Sequence, residues 1–239
     1  YLCADDTDNP ERIKVINISE NVVELNKVKQ PFDGKKIGMI LPLPISITNI
    51  AELNGKENVM IINLEEKTTI TTIKGKYISD VITIDDGSGE ILNKIAQKEN
   101  SYAKAYDAIR NTTIYTSETF ENYEADNEQA KYLEDILPVI YNIISNVQVK
   151  MSESVEKIDR IYLTGTLSSI NNIDLYFQEY LANVRCEILR PTAISVNRDT
   201  NIKEYIEVNS AIALALHGLG FGIEGISFKQ DIAKMDVKD

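Results

Sequence analysis

The sequence predicts a mixed α/β fold, a sheet of parallel and antiparallel strands with helices on its faces, and three observations carry the prediction. Residues 57–84 hold three short β-rich runs separated by turn signals. Residues 158–189 hold two more strand-like runs with a helical pattern between them, and apolar residues recur at helical spacing in the segments around them. Two late strands after a β-meander require a mixed sheet, because a strand that returns beside the first must cross over through a helix.

In order, residues 12–18 alternate polar with apolar and predict a strand with one wet face. Ser19 is expected to cap a short helix carrying Val22, Val23 and Leu25, and residues 36–40 predict a second strand ended by Pro42 and Pro44. One or two helical turns are expected over residues 46–53. This block is too small to hold a core alone, so residues 1–56 read as the closing part of a preceding α/β subdomain. Residues 59–64 are almost continuously apolar, as a buried strand should be. Glu65, Glu66 and Lys67 turn the chain into the Thr-rich run 68–73, Gly75 marks the next turn, and residues 77–84 complete the meander.

Asp85 to Gly89 break the sheet, and Ile91, Leu92, Ile95 and Ala96 mark the inner face of a helix with acidic residues at its positive end. Ser101 caps another helix, and an acidic, weakly patterned stretch follows, read together as an inserted excursion over residues 100–126. Apolar residues from Ala130 to Val147 predict a helix of about five turns, which Pro138 should kink or divide. Ile161 and Leu163 lead through Thr164 and Gly165 to Ile170, Ile173, Phe177 and Leu181, a strand, tight turn and helix. Residues 185–189 predict the next strand, 195–201 a polar loop, and 207–216 a small-residue helix with His217 in its last turn and Gly218 as its stop. The second domain spans 57–225, and 226–239 read as a tail or linker.

The chain has 239 residues and a net charge of −12, with no apolar run long enough to span a membrane as a helix. It begins with Tyr1, which predicts an excised piece of a longer protein. The acidity argues against nucleic acid as a partner, because phosphate neutralisation needs clustered cations. Cys3 and Cys186 are far apart, and with a single His they predict neither a disulfide scaffold nor a zinc site.

The strand-to-helix junction at residues 164–170 is where an open α/β sheet places a ligand. Thr68 and Thr69 either offer hydroxyls to a phosphate or fill a β-hairpin, as the neighbouring Thr71 and Thr72 do. Gly165 either floors a base pocket or serves a positive-φ turn. Asp85 and Asp86 read as a magnesium pair or as a solvated helix start. His217 has no nucleophile beside it in any motif, and Cys186 reads as a small core hydrophobe. Tyr102, Tyr106, Tyr115 and Tyr123 cluster around the excursion as a partner surface or a half-buried rim.

The order of elements, together with five local segments, resembles the actin-like ATPase (ribonuclease H-like) fold shared by actin, Hsp70 and sugar kinases. Within it the wording resembles the type IV pilus assembly PilM family and, more distantly, FtsA-like proteins. Residues 62–70 (INLEEKTTI) lie where that family has an Asp-Ile-Gly turn and Thr-Thr near phosphates, and 77–95 resemble its strand, Gly-rich turn and helix. Residues 163–168 (LTGTLS) lie where it has Thr-Gly-Gly-Gly-Ser under the adenosine, and 209–218 resemble its closing helix. Residues 12–49 resemble the end of its small inserted subdomain.

Carried over by position, the nucleotide-facing residues are Asn63, Thr68, Thr69, Gly165, Thr166 and Ser168. The departures are chemical. Asn63 replaces an acidic residue, Glu65 replaces a glycine and turns a negative charge toward any polyphosphate, and Leu167 adds bulk to the adenosine turn. The resemblance therefore implies a degenerate site, with ATP and Mg2+ absent or merely structural, and no catalytic residue or metal ligand. It implies a scaffold in the cytoplasm at the inner face of the cell membrane, peripheral to it through a PilN-like membrane protein and other pilus components. Homo-oligomers stay open, as do an active ATPase and an FtsA-like division filament. Residues 225–229 (GISFK) resemble the short segment that begins PilN, which is compatible with a PilM-PilN fusion or with an ordinary terminal strand.

Overall fold

A computed structural model describes residues 2–5, 13–51, 53–75, 77–124, 127–154, 157–191 and 201–221. The polar loop expected at 195–201 lies almost wholly outside them, and the PilN-like segment at 225–229 does so entirely. The chain divides into two compact units, Tyr1–Asn49 with Ala213–Asp239, and Ile50–Ile212.

The larger unit is built on a five-stranded sheet of order β5-β4-β3-β6-β7. Strands β3 (Asn58–Leu64), β4 (Thr68–Lys74) and β5 (Tyr77–Ile84) form the expected antiparallel meander. Strand β6 (Arg160–Thr164) adds parallel to β3, and β7 (Arg185–Ile188) parallel to β6. The carboxyl ends of β3, β6 and β7 therefore lie at one end of the sheet, where open α/β sheets hold ligands.

Alternation along the strands separates the two faces. Met60, Ile62, Leu64, Ile70, Ile161 and Leu163 pack into a buried core with helices α3 (Ser88–Glu99), α4 (Tyr102–Asn111), α5 (Leu133–Glu153) and α6 (Ile173–Tyr180). The other face carries Ile61, Asn63, Thr69, Thr71, Tyr162 and Thr164, so its polar residues gather at the carboxyl end. Helix α5 runs unbroken through Pro138, so the proline does not divide it. Six buried side chains, from Ile136 to Val147, supply the packing that outweighs one missing backbone donor. Helix α6 starts later than expected, at Ile173. Ile170 instead closes a 3-10 turn over Thr166–Ser169, and the segment between is tied to the end of α4 by a bridge from Thr113 to Asn171.

In the smaller unit, β1 (Leu2–Asp5) pairs antiparallel with β2 (Ile13–Ile16). Helix α1 (Val22–Lys29) is capped by Asn21, whose side chain accepts from the Val23 N–H, and not by Ser19. Helix α2 (Leu43–Ser46) and a following 3-10 turn fill the expected helical region, but residues 36–42 form no strand. At the end of the larger unit, two short helical turns, the first α7 (Ile202–Tyr205), precede α8 (Asn209–Gly218). The helix ends one turn of logic later than Gly218. The residue with positive φ is Gly220 (+90°), and the Phe221 and Gly220 N–H groups donate to the Leu216 and His217 carbonyls, a Schellman closure.

Candidate functional site

The tip of the β3–β4 hairpin and the turn after β6 meet at the carboxyl end of the sheet. Asn63 sits opposite Thr69 on one side and Thr164 on the other, and Leu64 opposite Thr68. Gly165 follows immediately with φ +88°, and a Cβ on it would lie 2.8 Å from Asn63 Oδ1 and 2.8 Å from the Leu64 carbonyl carbon. The glycine is thus required for the turn after β6 to approach the β3 backbone.

Glu65, at the hairpin tip, reaches the same turn. Its Oε2 accepts from the Thr166 hydroxyl at 3.1 Å and its Oε1 from the Ser210 hydroxyl in the first turn of α8 at 3.4 Å. Burial holds its pKa above the usual carboxylate range, against the lowering effect of these donors, and the charge of Glu207 adds to the rise. Glu207 itself is engaged by Arg110, with Nε to Oε1 at 2.9 Å. Asn209, fully buried, donates to Thr164 Oγ1 and to the Leu189 carbonyl, both at 3.0 Å, which ties the start of α8 to β6 and to the segment after β7.

The structure therefore brings Asn63, Thr68, Thr69, Gly165, Thr166 and Ser168 to one end of the sheet, although not to one surface. Leu64 and Thr68 face the helices, while Asn63 and Thr69 face away from them. Both amide atoms of Asn63 and the hydroxyls of Thr68, Thr69 and Ser168 are buried with no hydrogen-bond partner among the described residues. Leu167 corrects the expectation of bulk in the crevice, since its side chain belongs to the helix-side core. Sequence reasoning missed Asn209 and Ser210. A buried Asn opening a run of small apolar residues was the available signal, and it reads equally as an ordinary helix start.

Around the hairpin, other donors and charges are already used. The Ser88 and Gly89 N–H groups at the start of α3 donate to the Glu65 and Glu66 carbonyls at 2.7 and 3.3 Å, and a Cβ on Gly87 would meet the Glu66 carbonyl oxygen at 2.4 Å. Asp85 pairs with Lys67 at 2.6 Å across the hairpin, and the Asp86 carbonyl accepts from the Thr68 N–H at 3.1 Å. These aspartates close a turn. No group of three His, Cys, Asp or Glu side chains able to hold a metal occurs among the described residues.

This geometry can be set beside known structures. The chain superposes on a PilM-PilN type IV pilus biogenesis complex with a TM-score of 0.60 at 16% identity, covering 82% of this chain and 57% of that one. The fold is that of the actin-like ATPases. MreB 5 of Spiroplasma citri bound to AMPPNP gives a TM-score of 0.56 at 13% identity, covering 84% of this chain and 66% of that one. The ethanolamine utilization protein EutJ from Carboxydothermus hydrogenoformans gives 0.54 at 13%, covering 86% and 62%. This actin-like chain thus spans about two thirds or less of each neighbour's length. No protein-family model matches the sequence, and no curated protein matches it.

An actin-like fold raises the question of ATP and magnesium, and the charges at this end of the sheet bear on it. The hairpin tip offers a carboxylate where a phosphate needs bare N–H donors, and Glu207 adds a second negative charge. Arg110 pairs with Glu207 and Lys67 with Asp85.

Proposed function

We propose that this chain is an actin-like scaffold of type IV pilus assembly, whose work is to bind a membrane-anchored, PilN-like partner while its nucleotide site stays degenerate. The observation that carries the reading is Glu65, a carboxylate held by Thr166 and Ser210 at the position where an actin-like site must admit phosphate. Likeness to a PilM-PilN complex supports the pilus assignment and the choice of partner. The scaffold lies in the cytoplasm at the inner face of the cell membrane, reached through the partner. No described helix is long and apolar enough to cross a membrane, in keeping with attachment through another chain.

Physically, such a scaffold works by holding a preformed binding surface, so its partner affinity needs no nucleotide-driven closure. The test titrates full-length protein with the cytoplasmic N-terminal peptide of the pilus membrane protein from the same genome, with and without MgATP. Saturable binding of equal affinity in both conditions is expected. Micromolar ATP binding with turnover sinks the scaffold reading, and failure to bind the peptide sinks the pilus assignment.

The second reading, an active ATPase, draws on the MreB neighbour, which was solved with AMPPNP. It requires Glu65 to leave its present partners whenever nucleotide enters.

A further inference from the structure

Two neutral hydroxyl donors converge on the Glu65 carboxylate, that of Thr166 in the 3-10 turn after β6 and that of Ser210 in the first turn of α8. Hydroxyls from two separate segments aimed at one carboxylate are donors of the kind proteins present to a small oxyanion. Among the described residues no cation hydrogen-bonds the carboxylate, and Arg110 serves Glu207. The acid is therefore held as an anion ligand is held, by oriented dipoles, and not as half of an ion pair.

We infer that Glu65 is a built-in ligand: its carboxylate occupies an oxyanion site formed by the turn after β6 and the start of α8, and thereby excludes phosphate-bearing molecules from the carboxyl end of the sheet. The inference rests on the reading of this site as closed to polyphosphate, and is independent of the pilus assignment. It also explains a structural economy. One side chain joins three segments remote in sequence, the hairpin tip, the turn at Thr166 and the helix at Ser210, which a free anion would otherwise bridge. Shortening it leaves the donors in place without their acceptor, a state that small carboxylates or inorganic phosphate relieve.

The test follows thermal unfolding of the full-length protein, unsubstituted and as Glu65→Ala and Glu65→Gln, in sodium formate, sodium phosphate and sodium chloride at matched ionic strength. Glu65→Ala is expected to melt below the unsubstituted protein and to recover about 2–4 °C in formate, saturably, with no matching recovery in chloride. Recovery in phosphate as well marks a general oxyanion site, and recovery in formate alone a carboxylate-shaped one; either supports the inference. Glu65→Gln, which still fills the space, should show no saturable response. An equal response to formate and chloride in Glu65→Ala overturns the inference alone, whereas saturable MgATP binding by the unsubstituted protein overturns the closed-site reading with it. Should Glu65→Ala not fold, Ser210→Ala serves instead: losing a donor must raise the Glu65 pKa followed by carboxyl NMR, and an unmoved titration refutes the assignment.

Discussion

At the scale of single residues, the site is defined by one missing side chain and one half-buried carboxyl group. Gly165 combines φ +88° with a Cβ position 2.8 Å from Leu64 backbone, so a methyl group there has nowhere to go without parting β3 from the turn after β6. Gly165→Ala should cost about 3 kcal/mol or more, read from denaturant midpoints, because backbone strain and overlap add. Glu65 predicts a pH signature. Its folded-state pKa lies above the unfolded value, so its contribution is fully present below the ordinary carboxylate range and is lost as pH rises through the raised pKa. Glu65→Gln lacks that loss. The stability of Glu65→Gln relative to the unsubstituted protein should thus rise from acid toward neutral pH, and parallel curves would contradict the raised pKa of Glu65.

Elements show where local rules yield to packing. Helix α5 keeps Pro138 in its interior because residues on both sides of it are buried in the core. The missing N–H leaves the Glu134 carbonyl without its helical donor, so Pro138→Ala should stabilise the protein by about 1 kcal/mol or more, checked by calorimetry. Helix α8 closes through Gly220, and Gly220→Ala should cost about 1 kcal/mol, since alanine must then hold a left-handed φ. Helix α3 starts without a side-chain cap. The hairpin carbonyls of Glu65 and Glu66 take that role, which welds the hairpin tip to the helix and removes those N–H groups from any ligand.

For the whole molecule, the sheet order places β3 and β6 side by side although nearly a hundred residues separate them, and that adjacency creates the site. A closed site predicts that MgATP leaves the melting temperature of the full-length protein unchanged. Binding at a hundredfold excess over Kd would raise it by roughly 5–10 °C. The order of the strands and most helices was legible from periodicity, since 59–64 and 68–73 are β-patterned and Ala130 to Val147 repeat at helical spacing. The strand expected at 36–40 failed because apolar composition alone does not supply a ladder. Asn209 and Ser210 escaped notice because their partners, Thr164 and Glu65, lie at distant positions in the chain.

By itself, the sequence determined the α/β class, the meander and the chemical oddity of a glutamate at the hairpin tip, because periodicity and turn residues are local properties. Only the tertiary structure decided what that glutamate does. Whether a carboxylate repels a ligand, waits in solvent or becomes a ligand itself depends on which donors the fold brings to it. Those donors come from segments whose meeting is set by strand pairing and helix packing, and no local pattern encodes it.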